Sequence, residues 1–300
     1  MTLHEFNTTE ELKELLDHEL WIDTQLDLPS TSPIDSVLRI EIGNEFPLSR
    51  LDVLGYSTEC PEYVYCMETC DVQHPYVYVR APAKHDGKLL NESVRLVLEQ
   101  YRQQILDHGR LMVSADEVIV DAFRSLIAEV LGRSCKVIVD HEVGMFYMTA
   151  AQREELLSTE LEILCGYTVE PVDVDRDGDT IHALWKNGIS AEITKERLRR
   201  FPSTCVRDSS GQLVGWAMSG RFGQISNEFV LPEHRGKGLG KAVELALAKA
   251  LARKGRRVFK YVEMTNEIVL ASSMRSPHWT LWREDGKRKA MFFRKFEIVM

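Results

Sequence analysis

The chain has 300 residues, 44% of them hydrophobic and 28% charged, which excludes a disordered or low-complexity polymer and leaves room for one large or two ordinary domains. Its net charge of −9 argues against nucleic acid as a partner, although a local basic patch can still hold a small anion. Six scattered cysteines (Cys60, Cys66, Cys70, Cys135, Cys165 and Cys205), the absence of an apolar run near the ~18 residues of a spanning helix, and an acidic N-terminus without a signal-like core predict a cytoplasmic protein with no membrane partner.

In chain order, the first element is a helix capped around Thr8, with Leu12, Leu15 and Leu16 on one face. Strands are predicted over "SVLRIEIGN" (36–44), "EYVYCMET" (62–69) and "PYVYVRAP" (75–82), which alternate and are rich in aromatic and β-branched residues. Residues 91–109 and 114–132 read as helices, and 135–149 contain a strand. After a polar helical stretch at 151–164, a fresh strand (Tyr167 to Val172) and helix predict a domain boundary, giving an N-terminal domain over 1–160 and a C-terminal one over 161–300.

The second half continues with a helix over 190–201 and a hairpin over 203–219 built on Ser-Ser-Gly. Next come a strand over 223–230, a helix from Leu239 to Lys254, a strand over 256–264, a short helix over 266–274 and a hairpin around Asp285-Gly286. This order predicts an α/β fold with a mixed, mostly antiparallel sheet flanked by helices.

Between the strand at 223–230 and the helix at 239 lies "LPEHRGKGLG" (231–240). Glycines there let backbone approach a ligand, a helix start offers unpaired N–H groups, and Arg235, Lys237 and Lys241 add charge. The P-loop pattern fails, because Gly240-Lys241 is followed by Ala242 and Arg235 stands where its first glycine belongs. The dinucleotide pattern needs glycine at 241, which is Lys. The pattern Arg-x-x-Gly-x-Gly fits Arg235, Gly238 and Gly240 without a gap. A glycine turn that merely starts a helix is the plain alternative.

That last pattern is the pyrophosphate loop of the GNAT acyltransferases, and from Gly166 onward the chain resembles that superfamily, in particular its glycine N-acyltransferase family. The resemblance is carried by "FPSTCV" (201–206), "GQLVGW" (211–216), "LPEHRGKGLG" and "VEMTNE" (262–267), and more faintly by "IGNEFPLSRLDVL" (42–54). It implies a C-terminal GNAT fold, a degenerate GNAT-like N-terminal half, and transfer of an acetyl or longer acyl group from acyl-CoA to a primary amine, with glycine or another small amino acid as acceptor. Acetyl-CoA or another acyl-CoA is then the cosubstrate, no metal is needed, and a monomer or homodimer is expected. Main-chain groups of Val230 are assigned to the acyl and pantetheine arm. The amides of Arg235, Gly236, Lys237, Gly238, Leu239 and Gly240 are assigned to the pyrophosphate, and Asn266 to the pantetheine. Mitochondrial members exist in the family, but no targeting segment is seen here.

The reaction needs a base for the amine and a donor for the carbonyl oxygen, for which a backbone N–H near Val230 would serve. The family's usual base, a Glu eleven residues before the motif Arg, is here Gln224, which cannot take a proton. Strict alternation puts Gln224, Ser226, Glu228 and Val230 on one face, which offers Glu228 as a displaced base. Glu263 and His234 are the other candidates, the latter more simply a loop side chain. Ser273 stands where many members carry the Tyr that protonates the leaving thiolate. A non-catalytic acyl-CoA-binding protein, or an acetyltransferase acting on protein lysine or a polyamine, are the rival readings.

Other features have simpler explanations. "DVDRDGDTIHAL" (173–184) imitates a calcium loop but ends in Leu184 where a bidentate Glu is required, so a solvated turn with Asp179 or Thr180 capping the next helix is expected. Cys66, Cys70 and His74 lack a fourth ligand. Trp279 and Trp282 suit a sheet face as well as an acceptor pocket, and the run Arg253, Lys254, Arg256 and Arg257 suits a helix C-terminus as well as the 3′-phosphate of CoA.

Overall fold

The computed structural model describes residues 2–26, 31–56, 61–186, 188 and 190–299. Cys60 lies outside them. The chain forms two compact units: Met1–Gly144 with Glu263–Glu267 and Arg283–Met300, and Met145–Val262 with Ile268–Trp282. The division therefore falls near residue 144 and not at 160, and the C-terminal segment joins the first unit. Among the described residues no helix is long and apolar enough to cross a membrane.

The first unit begins with β1 (Leu3–Glu5), α1 (Thr9–Leu26) and α2 (Thr31–Ile42). Thr8 and Glu11 cap α1 reciprocally: Glu11 N donates to Thr8 Oγ1 at 3.2 Å, and Thr8 N to Glu11 Oε2 at 2.9 Å. The helix buries Leu12, Leu15 and Leu16 as its spacing predicts. The strand expected at 36–44 is instead α2. Ile34, Val37 and Leu38 fall at helical spacing and are wholly buried, and Arg39 bonds Asp35 one turn back at 3.0 Å. The alternation of Leu38, Ile40 and Ile42 is a coincidence of that helical stripe.

There follow β2 (Arg50–Tyr56), β3 (Tyr63–Cys70), β4 (Gln73–Arg80), α3 (Gly87–Gln100), α4 (Arg102–His108), β5 (Arg110–Ala115), α5 (Glu117–Leu131) and β6 (Cys135–Tyr147). β1 to β4 pair antiparallel in sequence, and β4 pairs β5 in parallel. The helix expected from Asn91 starts four residues earlier, because Asp86 accepts from Lys88 N and Leu89 N and caps it there. The helix expected from Ser114 starts at Glu117, because residues 110–115 complete a strand and Asp116 caps the helix behind it. Val94, Val97 and Leu98 of α3 and Phe123 and Ile127 of α5 cover one face of this sheet.

The second unit contains α6 (Ala150–Ser158), β7 (Tyr167–Glu170), α7 (Val174–Leu184), α8 (Ala191–Arg200), β8 (Ser203–Asp208), β9 (Leu213–Ser219), β10 (Ile225–Val230), α9 (Leu239–Arg253), β11 (Phe259–Glu263), α10 (Glu267–Arg275) and β12 (Thr280–Leu281). Strands β7 to β10 form an antiparallel meander, and β11 lies parallel to β10. Ile181 of α7 and Leu198 of α8 pack with Trp216 and Phe229 on one face. Val243, Leu247, Ala248 and Leu251 of α9 pack with Ala217 and Ile225 on the other. The acidic stretch at 173–184 is mostly α7 itself. Its cap is Asp173, not Asp179 or Thr180, with Arg176 N donating to Asp173 Oδ1 at 3.3 Å. Asp177 is buried against Arg207, and Asp179 is bound by Lys195.

From Arg283 the chain belongs again to the first unit. β13 (Arg283–Glu284) and β14 (Lys287–Arg288) make the hairpin around Asp285-Gly286, and β15 (Ala290–Ile298) pairs antiparallel with both β5 and β6.

Candidate active site of the second unit

Strand β10 carries a bulge. Ser226 is in register with Met218 but Phe229 with Trp216, so Asn227 and Glu228 together oppose Ala217. Asn227 takes up the extra residue at φ +44°, a conformation Asn tolerates better than most side chains. The bulge resets the alternation. Ile225 packs on α9, Phe229 stacks on Trp216 across the sheet, and Glu228 and Val230 face α9. Strict alternation therefore misplaces Glu228: it shares a face with Ile225 and Val230, not with Gln224 and Ser226. The Gln224 side chain folds back over the turn before β10, where a Cβ on Gly220 would meet it at 2.5 Å.

Beyond the bulge the parallel strands separate. β10 and β11 are registered at Ile225↔Lys260 alone, although β10 runs on to Val230. Gly215 on β9 lets β10 come close here, since a Cβ at 215 would lie 2.9 Å from the Phe229 carbonyl oxygen.

Pro232–His234 form one 3-10 turn, which leads to Gly236 at φ +74° and Gly238 at φ +77°. Gly238 is the N-cap of α9 and supplies no side-chain acceptor. The amides of residues 236 to 241 make no hydrogen bond among the described residues, and those from Gly238 onward stand at the positive end of the α9 dipole. Arg235 is anchored away from them: its Nε donates to the Val230 carbonyl at 2.9 Å and its guanidinium lies over Phe229. Lys237 Nζ donates to Tyr167 Oη at 3.0 Å, and the same hydroxyl meets His234 Nδ1 at 3.0 Å, which makes His234 part of the loop's scaffold. Beside the loop is a cavity of about 340 Å³ lined in part by Leu161, Leu164, Lys237, Lys241 and His278. The basic run from Arg253 to Arg257 is at the other end of α9, ~22 Å away at 1.5 Å per residue.

Gly240 has a different use. A Cβ there would lie 2.9 Å from Glu228 Oε1, so the missing side chain makes room for this carboxyl against α9. One turn on, Glu244 follows Gly240 on the same side of α9, and its charge acts on Glu228. Glu244 is itself buried, ion-paired to Lys260 Nζ, and accepts from Trp279 Nε1 at 2.7 Å. Lys260 lies 4.6 Å from the centre of the Trp279 ring. Loss of solvation, and after it the neighbouring Glu244 carboxylate, push the Glu228 carboxyl up to about 8, against the opposing pull of Lys260. Glu228 is nonetheless exposed on one side, where the strands part, while α9 and β11 take water away from its other side.

The remaining candidates are arranged differently. Ser273 is fully buried and its Oγ has no partner among the described residues, so it neither caps backbone nor opens onto a surface. Asn266 is exposed just past β11. Glu263 is exposed and 3.8 Å from His141. Sequence reasoning missed Glu244 and Lys260. The available signal was one acid among the apolar residues of "AVELALAKAL" and one base in "VFKYV", each a charge set in a buried run.

Residues 205–271 match the family described as FR47-like protein. The chain is 28% identical over 88 residues to a glycine N-acyltransferase-like protein of Mus musculus, covering 27% of this chain and 30% of that protein. It is 21% identical over 167 residues to the glycine N-acyltransferase of Mus musculus, covering 48% and 56%. The chain thus spans between about a third and just over half the length of these curated relatives. Among solved structures, a Drosophila protein superposes with a TM-score of 0.74 at 14% identity, over 99% of this chain and 98% of that one. A tandem GNAT protein from the clavulanic acid biosynthesis pathway superposes with a TM-score of 0.55 at 15% identity, over 99% and 97%. The fold is that of the GNAT proteins, in tandem. In sequence, the chain is similar to FR47-like proteins and to the glycine N-acyltransferases.

Proposed function

We propose that the second unit transfers an acyl group from acyl-CoA to a primary amine, with glycine or another small amino acid as acceptor. The observation that carries this reading is the set of unpaired amides at residues 236–241, next to the gap between β10 and β11 and the Glu228 carboxyl. The amides suit a pyrophosphate, the cavity beside them suits the nucleotide end, and the parted strands suit an extended pantetheine arm.

Glu228 takes a proton from the acceptor ammonium. The freed amine nitrogen attacks the thioester carbonyl, the carbon–sulfur bond breaks, and the thiolate leaves with its electron pair and takes up the second proton that the nitrogen sheds on becoming an amide. A thiol near pKa ~8.5 leaves without strong acid assistance, so an enclosed Ser273 is no obstacle. A base whose own pKa lies near the working pH is well matched to this step.

A thiol-release assay with a series of acyl-CoAs and a panel of amines tests the proposal. Turnover is expected, with kcat lowered about 10²- to 10⁴-fold in Glu228→Gln and little change in KM for the acyl-CoA. Binding of acyl-CoA without turnover across the panel would instead support the non-catalytic reading, which Gln224 at the family's usual base position favours.

A further inference from the structure

We infer that Glu244 is a positioning residue for Glu228: the two carboxyls are a pair that holds one proton, Glu244 being the ionised member and Glu228 the one that gains and loses it. The assignment of Glu228 as a base in the proposed reaction underlies the functional side of this inference, whereas the pair itself stands on geometry. Gly240 and Glu244 are one turn apart on α9, so the space that Gly240 leaves for Glu228 brings the two carboxyls together.

The two members have unlike surroundings. Both oxygens of Glu244 are engaged by donors, Oε2 by the Lys260 ammonium and Oε1 by the Trp279 indole N–H. Both partners are donors, so the proton of the pair is assigned to Glu228. Among the described residues Glu228 has no ion pair of its own. Around it, α9 brings Glu244, β11 brings Lys260, the segment before β12 brings the neutral Trp279, and β9 brings only Gly215, Trp216 and Ala217. With a proton on Glu228 the group Glu228–Glu244–Lys260 is neutral. Without it, the group has one uncompensated negative charge, and two carboxylates in contact cannot both ionise cheaply. A substrate ammonium arriving in the gap supplies the missing positive charge. The pair therefore favours acceptors that bring a cation: as the ammonium enters, the proton of Glu228 passes to solvent, and the ionised Glu228 is then free to take one from the ammonium.

Carboxyl-carbon NMR titration reads the pair without turnover, the Glu228 resonance being assigned by its loss in Glu228→Gln. In the wild-type protein Glu228 is expected to titrate well above the ordinary ~4.3 of a glutamate. Glu244→Gln, which keeps an acceptor for Trp279, is expected to lower that titration by about one pH unit or more, because Lys260 is freed to pair with Glu228. Lys260→Met is expected to raise it. A merely structural cluster has no reason to give shifts of opposite sign. The ascending limb of the kcat/KM profile should follow the same order.

A wild-type Glu228 that titrates in the ordinary range overturns the inference with no need for any folded variant at 244 or 260, as do shifts of the same sign in both variants. If the titrations behave as expected but no amine is acylated, the pair stands and the reading of Glu228 as a base falls.

Discussion

The two units contain the same local plan, a strand, a helical crossover and a parallel strand, and they finish it differently. In the first unit β4 and β5 are zipped over Tyr76↔Met112, Val77↔Val113 and Tyr78↔Ser114. Asp86 turns its carboxylate onto the amides of Lys88 and Leu89 at the start of α3. In the second, β10 and β11 meet at Ile225↔Lys260 alone, and Gly238 leaves the amides at the start of α9 without an acceptor. One unit satisfies its backbone groups internally. The other leaves the amides of residues 236 to 241 unpaired among the described residues. A candidate site in this fold is thus recognised by the hydrogen bonds the chain withholds as much as by the side chains it presents.

The comparison can be broken most severely by giving the second unit the first unit's cap. Gly238→Asp puts a carboxylate among the amides that suit a pyrophosphate, at a φ that Asp tolerates better than most residues. Displacing two hydrogen bonds to a charged group, each about 1.5–3 kcal/mol, should weaken CoA binding about 100-fold or more by titration calorimetry. Unchanged affinity would mean that the loop does not hold the anion. A smaller effect is expected from deleting Asn227. Without the bulge residue β10 loses its bend, and Glu228, still on the α9 face, is drawn back toward Ser226; a misplacement of this kind should lower kcat about 100-fold while CoA affinity persists. The smallest effect belongs to the first unit. Asp86→Ala removes a helix cap, so a loss of about 1 kcal/mol is expected in chemical denaturation, with no change in acyl-CoA turnover. A marked fall in turnover there would show that the first unit does more than the comparison allows.

Local signals made the glycine loop legible in the sequence, because the spacing of Arg235, Gly238 and Gly240 and the strand and helix around them lie within one short stretch. Segments whose pattern fits two periods were not legible. Residues 36–42 alternate like a strand while Ile34, Val37 and Leu38 obey a helix, and burial decides for the helix. The short strand β5 was hidden by the strong helix after it, since its pairing with β4 and β15 is non-local. The bulge was invisible to alternation, which has no place for an extra residue, although Asn227 within a strand was a hint. Glu244 and Lys260 are on different elements, and only the packing of α9 beside β11 joins them.

Strand β15 has a consequence for the order of synthesis. It lies between β5 and β6 in the first unit, and Phe296 and Ile298 fill that unit's core. Yet it is encoded after the whole of the second unit. On the ribosome, the facing edges of β5 and β6 must wait unzipped while the second unit is translated, so the unit that begins first is completed last. A nascent chain stopped between Trp282 and Ala290 would therefore expose a gap in the first sheet while already holding every residue of the second unit.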